Sequence, residues 1–386
     1  MTPRERADAL LPYMTEIRHD LHMHPELGLR EFHTTELVKT ELDKMGIPYT
    51  CFEPTGLMCE IQGELPGDGY VGLRADMDAL PLDEAVDLPY KSVNPGVMHA
   101  CGHDMHTTML LTAVKILNDM KSEFGGKVRF VFQPGEEGCN GAKVIEKQGA
   151  MDGPKKYMAI HMWPNYVGTG KVGHFDIART AGTDNFKVTV KGQICHGQAP
   201  HLGIDSLTAA ANMIMALQTL VSRRTNPLDA AVVSIGKIHG GTAANIVCPE
   251  TVFEGTIRCH VPEHIAKLKT LLYETCEHIA KAHGATVEIE YETYAPPMVQ
   301  DPELSKIAWA AADKVVGGKA PCLHMGDIMG GEDFTVFQQH APGVYVFLGG
   351  GGDAMGHQSD FWLEDSAMPY GAALYAQFAL DALKLD

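Results

Sequence analysis

"MHACGHDMHTTMLL", residues 98–111, crowds His99, Cys101, His103 and His106 into the mouth of an apolar helical pattern. That helix runs from about 104 to 121, and its flanks decide the fold. Upstream lies "YVGLRADMD" (70–78); downstream come "GKVRFVFQPGEEG" (126–138), "KKYMAIHMWP" (155–164) and, much later, "PGVYVFLGGGG" (342–352). Each is a short β-branched or aromatic run closing on turn-type or polar residues, as strands do. Strands alternating with helices predict an α/β domain. Residues 3–46 add helical periodicity, broken at Pro25 and stopped at Gly46.

From about 183 the texture changes. "TDNFKVTVKG", "DAAVVSIGKIHGG" and "ETVFEGTIRCHV" alternate at period two, and "DSLTAAANMIMALQTLVSRR" reads as a helix with Asp205 as N-cap and Arg223 and Arg224 near its end. This predicts an α+β insert over 183–294, closed by a linker at Pro296 and Pro297, between the two halves of the first domain, 1–182 and 295–386.

The chain has 386 residues, 45% of them hydrophobic and 21% charged, which suits two globular domains. A formal charge of -18 repels nucleic acid and anionic lipid, so neither nucleic acid nor membrane is expected as a partner. With no signal-type start and no run near the ~20 apolar residues of a membrane helix, the expected location is cytoplasmic. Nine cysteines without paired spacing (Cys51, Cys59, Cys101, Cys139, Cys195, Cys248, Cys259, Cys276 and Cys322) do not read as a disulfide framework.

In an open α/β sheet, functional groups gather at the carboxyl ends of strands. Asp76 and Asp78 close one strand, Glu136 and Glu137 follow a second, His161 lies late in a third, and His357 follows a fourth after a glycine-rich loop. Cys101 and His103 precede a helix on the same edge. Taken singly, "CGH" is an ordinary polar helix start, "EEG" a solvated face and His161 a core histidine; together at strand ends they point to metal. Thiolate, imidazole and carboxylate suit zinc, with manganese, cobalt or nickel as alternatives.

The segments "LHMHPELGLRE", "LRADMDALPLDE", "MHACGHDMHTTMLL", "VFQPGEEGCNGAK", "AIHMWP", "CHGQAPHLGID", "GGTAANIVCPETVFEGTIR" and "GHQSDFWLED" follow one another as in the aminoacylase, hippurate hydrolase and auxin-amino-acid-conjugate hydrolase family of metallopeptidases, which the chain resembles over nearly its whole length. The resemblance implies a doubly wound, mixed-sheet α/β catalytic domain with an inserted α+β lid and dimerisation domain, in a homodimer or higher homo-oligomer. It implies two divalent ions, zinc or manganese foremost, held by Cys101, His103, Glu137, His161 and His357, with Cys101 bridging and Glu136 as general base. Asp78 would orient a ligand from behind. His196 would meet the oxyanion, in many relatives across a dimer, and Asn245 with Arg258 the substrate carboxylate; His201 carries no role beyond lid structure. The implied reaction is hydrolysis of N-acyl amino acids of acetyl, benzoyl or arylacetyl type. Rival readings are a dipeptidase or carboxypeptidase with the same metal site, and a non-catalytic binding protein on the same fold. Departures at "PGEEG", "ICHGQAPH", "RTAGTDNF" and "GHQSDFW" leave the metal set intact but leave the acyl group and amino acid open.

Overall fold

The computed structural model describes residues 1–164, 168–173, 180–320 and 327–385. Three helices open the chain: α1 (Pro3–Ala9), α2 (Leu11–Met23) and α3 (Phe32–Met45). Thr2 and Glu5 form a capping box on α1, and Gly46 closes α3 in the left-handed conformation. Strands β1 (Tyr49–Cys51), β2 (Leu57–Gln62) and β3 (Leu65–Asp76) precede α4 (His103–Asp119); β4 (Gly125–Gln133), α5 (Gly141–Glu146), β5 (Lys156–Trp163) and β6 (Val172–Gly173) follow.

Then come β7 (Gly182–Lys191), β8 (Cys195–His196), α6 (Ser206–Arg224), β9 (Ala231–Gly240), β10 (Ile246–Val247), β11 (Glu250–Cys259), α7 (Pro262–His283) and β12 (Thr286–Ala295). The chain ends with α8 (Pro302–Val316), α9 (Thr335–Gln338), β13 (Gly343–Gly349) and α10 (Met368–Ala382).

Two compact units result, Met1–Ala178 with Val299–Gly326 and Asp333–Asp386, and Arg179–Met298 with Asp327–Glu332. The first holds a mixed seven-stranded sheet in the order β1-β2-β4-β3-β5-β13-β6. Its four central strands, β4, β3, β5 and β13, are mutually parallel and are the four runs singled out in the sequence. They are near-continuously buried, as parallel strands covered on both faces are, and Leu73, Phe130, Phe132, Met158 and Leu348 belong to one core with α4 and α10. Because all four run the same way, their carboxyl ends lie along one edge.

In the second unit β12-β7-β11-β9 form an antiparallel sheet. Phe186, Val188 and Val190 alternate along β7 into a core with Met213 and Leu217 of α6 and Leu268 and Leu272 of α7. Asp205 caps α6 by accepting from the Leu207 and Thr208 backbone N–H groups. Residues 327–332, which the sequence reading left in 295–386, join this unit: Thr180 bridges Ile328, and Arg258 donates to Met329 O. No periodic pattern marks so short a segment, so its allegiance shows only in three dimensions. The eight cysteines among the described residues are free thiols; Cys322 lies outside them. No described helix is long and apolar enough to cross a membrane.

Candidate metal centre

In the first unit the parallel edge assembles as its strand ends suggest. Asp76 closes β3 and Asp78 follows, both buried. After β4 the chain turns through Pro134 and Gly135 into Glu136 and Glu137; His161 lies near the end of β5, and His357 beyond β13. Cys101 and His103 flank Gly102, whose φ is 92° and whose Cβ, were there one, would meet Leu363 at 3.0 Å and Met162 at 3.1 Å. Glycine alone takes that conformation cheaply in so tight a place.

Donor atoms of Cys101, His103 and His161 lie within 4.8 Å of one another, and the same holds for Cys101, Glu137 and His357 and for His103, Glu136 and Glu137. Cys101 belongs to the first two groups. His161 Nδ1 lies 2.6 Å from Met162 O, so Nδ1–H donates there and Nε2 keeps its lone pair, facing Cys101 Sγ at 3.5 Å. His357, itself at φ 66°, is placed by its N–H to Ala100 O (2.8 Å) and pairs with Glu137 Oε1 at 3.0 Å. A left-handed non-glycine residue is worth the strain where function requires it.

Asp78 has two tasks. Its Oδ1 accepts from Glu136 N (3.0 Å) and its Oδ2 from Glu137 N (2.8 Å), which anchors the turn that carries both glutamates. Oδ1 also faces His103 Nδ1 at 3.3 Å. His103 is buried, yet neither ring nitrogen makes an aligned hydrogen bond; Nε2 is 3.7 Å from Asp76 Oδ1. Leaving a buried polar group so costs about 1–3 kcal/mol unless something coordinates it.

The electrostatics agree. Burial alone would lower the His103 pKa, but Asp76 and Cys101 outweigh it and hold the ring well above the ordinary histidine value. Hydrogen bonds to Cys101 and Glu137 raise His357 to about 10. Burial, with the Glu137 charge, pushes the Cys101 thiol up. Burial and neighbouring His106 push His161 well down, toward the neutral, ligating form. A site that draws protons onto two of its histidines while keeping a third neutral is one rich in negative charge and suited to cations.

Several supporting residues were not singled out in the sequence. Glu31 is fully buried beneath the glutamate turn: Oε1 accepts from Leu29 N (3.0 Å) and Gly135 N (2.8 Å), Oε2 from Thr55 Oγ1 (2.5 Å). Asp333 accepts from Arg74, from Gln133 and, at 3.0 Å, from Ala142 N on the turn's far side. His106, one of the three histidines at the helix mouth, is spent structurally: Nδ1 meets Asp76 Oδ1 at 2.5 Å and Nε2 accepts from Met162 N at 2.7 Å, steadying the strand of His161. His99 is buried without a hydrogen-bond partner on either nitrogen, and burial lowers its pKa to about 4.

In the second unit, β8 pairs with β10, placing exposed His196 opposite Ile246 and next to exposed Asn245, whose carbonyl accepts from Gly197 N at 2.7 Å. Arg258 lies on β11 and donates from Nη1 to Thr183 Oγ1 and Met329 O, both at 3.1 Å. His201, exposed, sits in a short 3-10 turn.

The sequence profile of Peptidase family M20/M25/M40 matches residues 72–381. The chain belongs to this family. This M20 chain is 36% identical over 354 residues to an N-acetyl-L-cysteine deacetylase of Bacillus subtilis, covering 91% of this chain and 84% of that protein. It is 37% identical to the IAA-amino acid hydrolase ILR1-like 4 of Arabidopsis thaliana, covering 95% and 85%. Among solved structures it is similar to a dinuclear metal binding peptidase of the M20 family from Bacillus subtilis, with a TM-score of 0.85, 31% identity and coverage of 98% and 99%.

Proposed function

We propose that this M20 enzyme hydrolyses the amide bond of N-acyl amino acids, releasing a carboxylic acid and a free amino acid. The observation that carries the reading is the anchored Glu136–Glu137 turn, which brings Glu137 to Cys101 and His357 and sets both glutamates beside His103. The names of the relatives, a deacetylase of N-acetyl-L-cysteine and a hydrolase of IAA-amino acids, support the same chemistry.

Cys101, His103, Glu137, His161 and His357 would hold two divalent ions, zinc or manganese foremost, with Cys101 shared. Such ions polarise an amide carbonyl and ease deprotonation of water. Glu136 takes the proton from the attacking water and delivers it to the departing nitrogen. Asp78 fixes both glutamates through their backbone N–H groups and steadies His103, a positioning task. His196 stabilises the oxyanion, and Asn245 and Arg258 bind the free carboxylate of the amino acid, for which a guanidinium fork is well shaped.

We further read the enzyme as a cytoplasmic homodimer. Free thiols fit a reducing compartment. The second unit exposes large apolar side chains, Ile194, Leu202, Leu207, Met215, Leu228 and Ile238 among them, which a partner copy would cover.

A panel of N-acetyl, N-benzoyl and N-arylacetyl amino acids, run beside free dipeptides with zinc, manganese, cobalt and nickel in turn, tests the reading. Turnover of the N-blocked acids over dipeptides is the expected result. Preference for free dipeptides would make the chain a dipeptidase or carboxypeptidase; no turnover with any metal would make it a binding protein.

A further inference from the structure

Away from the metal centre, Asp20, His24 and His33 meet at the surface where α2 ends and α3 begins. Asp20 and His24 are spaced four apart, one turn of helix, so both project from the same side at the end of α2. His33 is the second residue of α3. The Asp20 carboxylate lies between the two rings, Oδ1 3.3 Å from His24 Nδ1 and Oδ2 2.8 Å from His33 Nε2, with ring centroids 4.6 Å apart; His24 Nδ1–H donates to Asp20 O at 2.8 Å, which leaves Nε2 as the His24 lone pair open to an ion. One donor atom from each residue lies within 4.8 Å of the other two.

The backbone beneath is well held. His24 N–H donates to Asp20 O at 3.2 Å, and Glu26 accepts from His33 N at 2.9 Å and Thr34 N at 3.0 Å. A neighbouring surface depression of about 600 Å³ is lined by Glu16, Asp20, Glu36 and Glu41 against a single lysine, Lys44. Lys39 pairs with Glu36 and Lys44 with Glu41, so the attraction of cations to the cluster rests on Asp20 and Glu16. Two imidazoles and a carboxylate with room left for water are a donor set for zinc, cobalt or nickel, and a poor one for calcium or magnesium.

We propose that Asp20, His24 and His33 form a separate site for a divalent transition ion, which clips α2 to α3. The clip has somewhere to act. Between its ligands the chain passes along Ala79, whose N–H donates to Glu26 O at 2.8 Å while Leu27 bridges it, and then reaches Glu31 beneath the glutamate turn. An ion here ties down the strap that supports the candidate catalytic turn.

The test is equilibrium dialysis of the full-length chain against zinc with elemental analysis, beside a His24→Ala/His33→Ala double variant and Asp20→Asn. All three substituted side chains are partly exposed, so the variants keep the core intact. Wild type should saturate at one equivalent more than either variant, while both variants keep the equivalents bound at the Cys101 cluster. Cobalt supplies a second readout, a visible d–d band in the difference spectrum between wild type and variant. Equal saturation of wild type and both variants, or a flat cobalt difference spectrum, overturns the site. Neither result bears on the amide-hydrolase reading, whose failure would show instead in the substrate panel.

Discussion

The glutamate turn of the first unit and the His196–Asn245 pair of the second differ in how completely the protein specifies them. Residues 134–142 are held from three sides by buried carboxylates: Asp78 on the Glu136 and Glu137 N–H groups, Glu31 on Gly135, and Asp333 on Ala142. Gly141 approaches Pro134 O so closely that a Cβ would stand 1.7 Å away. His196 and Asn245 are exposed, carried on a two-residue strand pair. The first region is preorganised within its own unit, as general-base chemistry requires. The second offers polar groups that the unit itself does not enclose, as expected of residues completed by substrate or by a partner chain.

The largest effect should come from breaking the preorganised side. Glu136→Gln keeps the backbone bond to Asp78 and removes the proton acceptor, so kcat should fall by about 10²–10⁴ while metal content stays normal. A variant retaining substantial kcat would remove Glu136 from proton transfer. Cys101→Ala and His103→Ala should instead lose rate and metal together, read by elemental analysis. Full occupancy in both would return "CGHD" to an ordinary helix start.

The exposed side predicts complementation. If His196 acts across a dimer, mixing His196→Ala with Glu136→Gln chains under subunit exchange gives heterodimers with one complete site, and about a quarter of wild-type turnover should return at statistical mixing. Proven exchange without recovery would confine His196 to its own chain or to structure.

What was legible in the sequence follows the same divide. The four central strands and α4 announced themselves because parallel strands and buried helices repeat their apolar pattern locally, and strand ends carry their polar residues in adjacent positions. Cys101, Glu137 and His357 could therefore be grouped before any distance was measured. Glu31 and Asp333 could not: their partners Gly135 and Gln133 are 104 and 200 residues away, and a buried carboxylate reads in sequence like a solvated one. His106 was visible only as a metal-ligand type, while its actual bonds, to Asp76 and Met162 N, depend on how β3 and β5 flank α4.

The smallest effect is also the sharpest probe of the buried carboxylates. Burial raises Glu31 to about 7, with the Asp78 charge adding to it and the Thr55 hydrogen bond opposing it. The unfolded chain holds an ordinary glutamate near 4.5, so between the two values the folded state binds the extra proton and stability must fall as pH rises. Over that interval Glu31 should subtract on the order of 3 kcal/mol from the metal-free protein, present in full above pH 7 and absent below 4.5. Glu31→Gln keeps the shape, an oxygen for Leu29 N and Gly135 N, and an amide that can donate to Thr55 Oγ1. It should therefore fold, and from pH 4.5 to 7 its denaturation midpoint should rise relative to that of wild type by the amount Glu31 subtracts. Matching slopes in the two proteins would show that Glu31 titrates normally and that the turn is held by Asp78 and Asp333 without it.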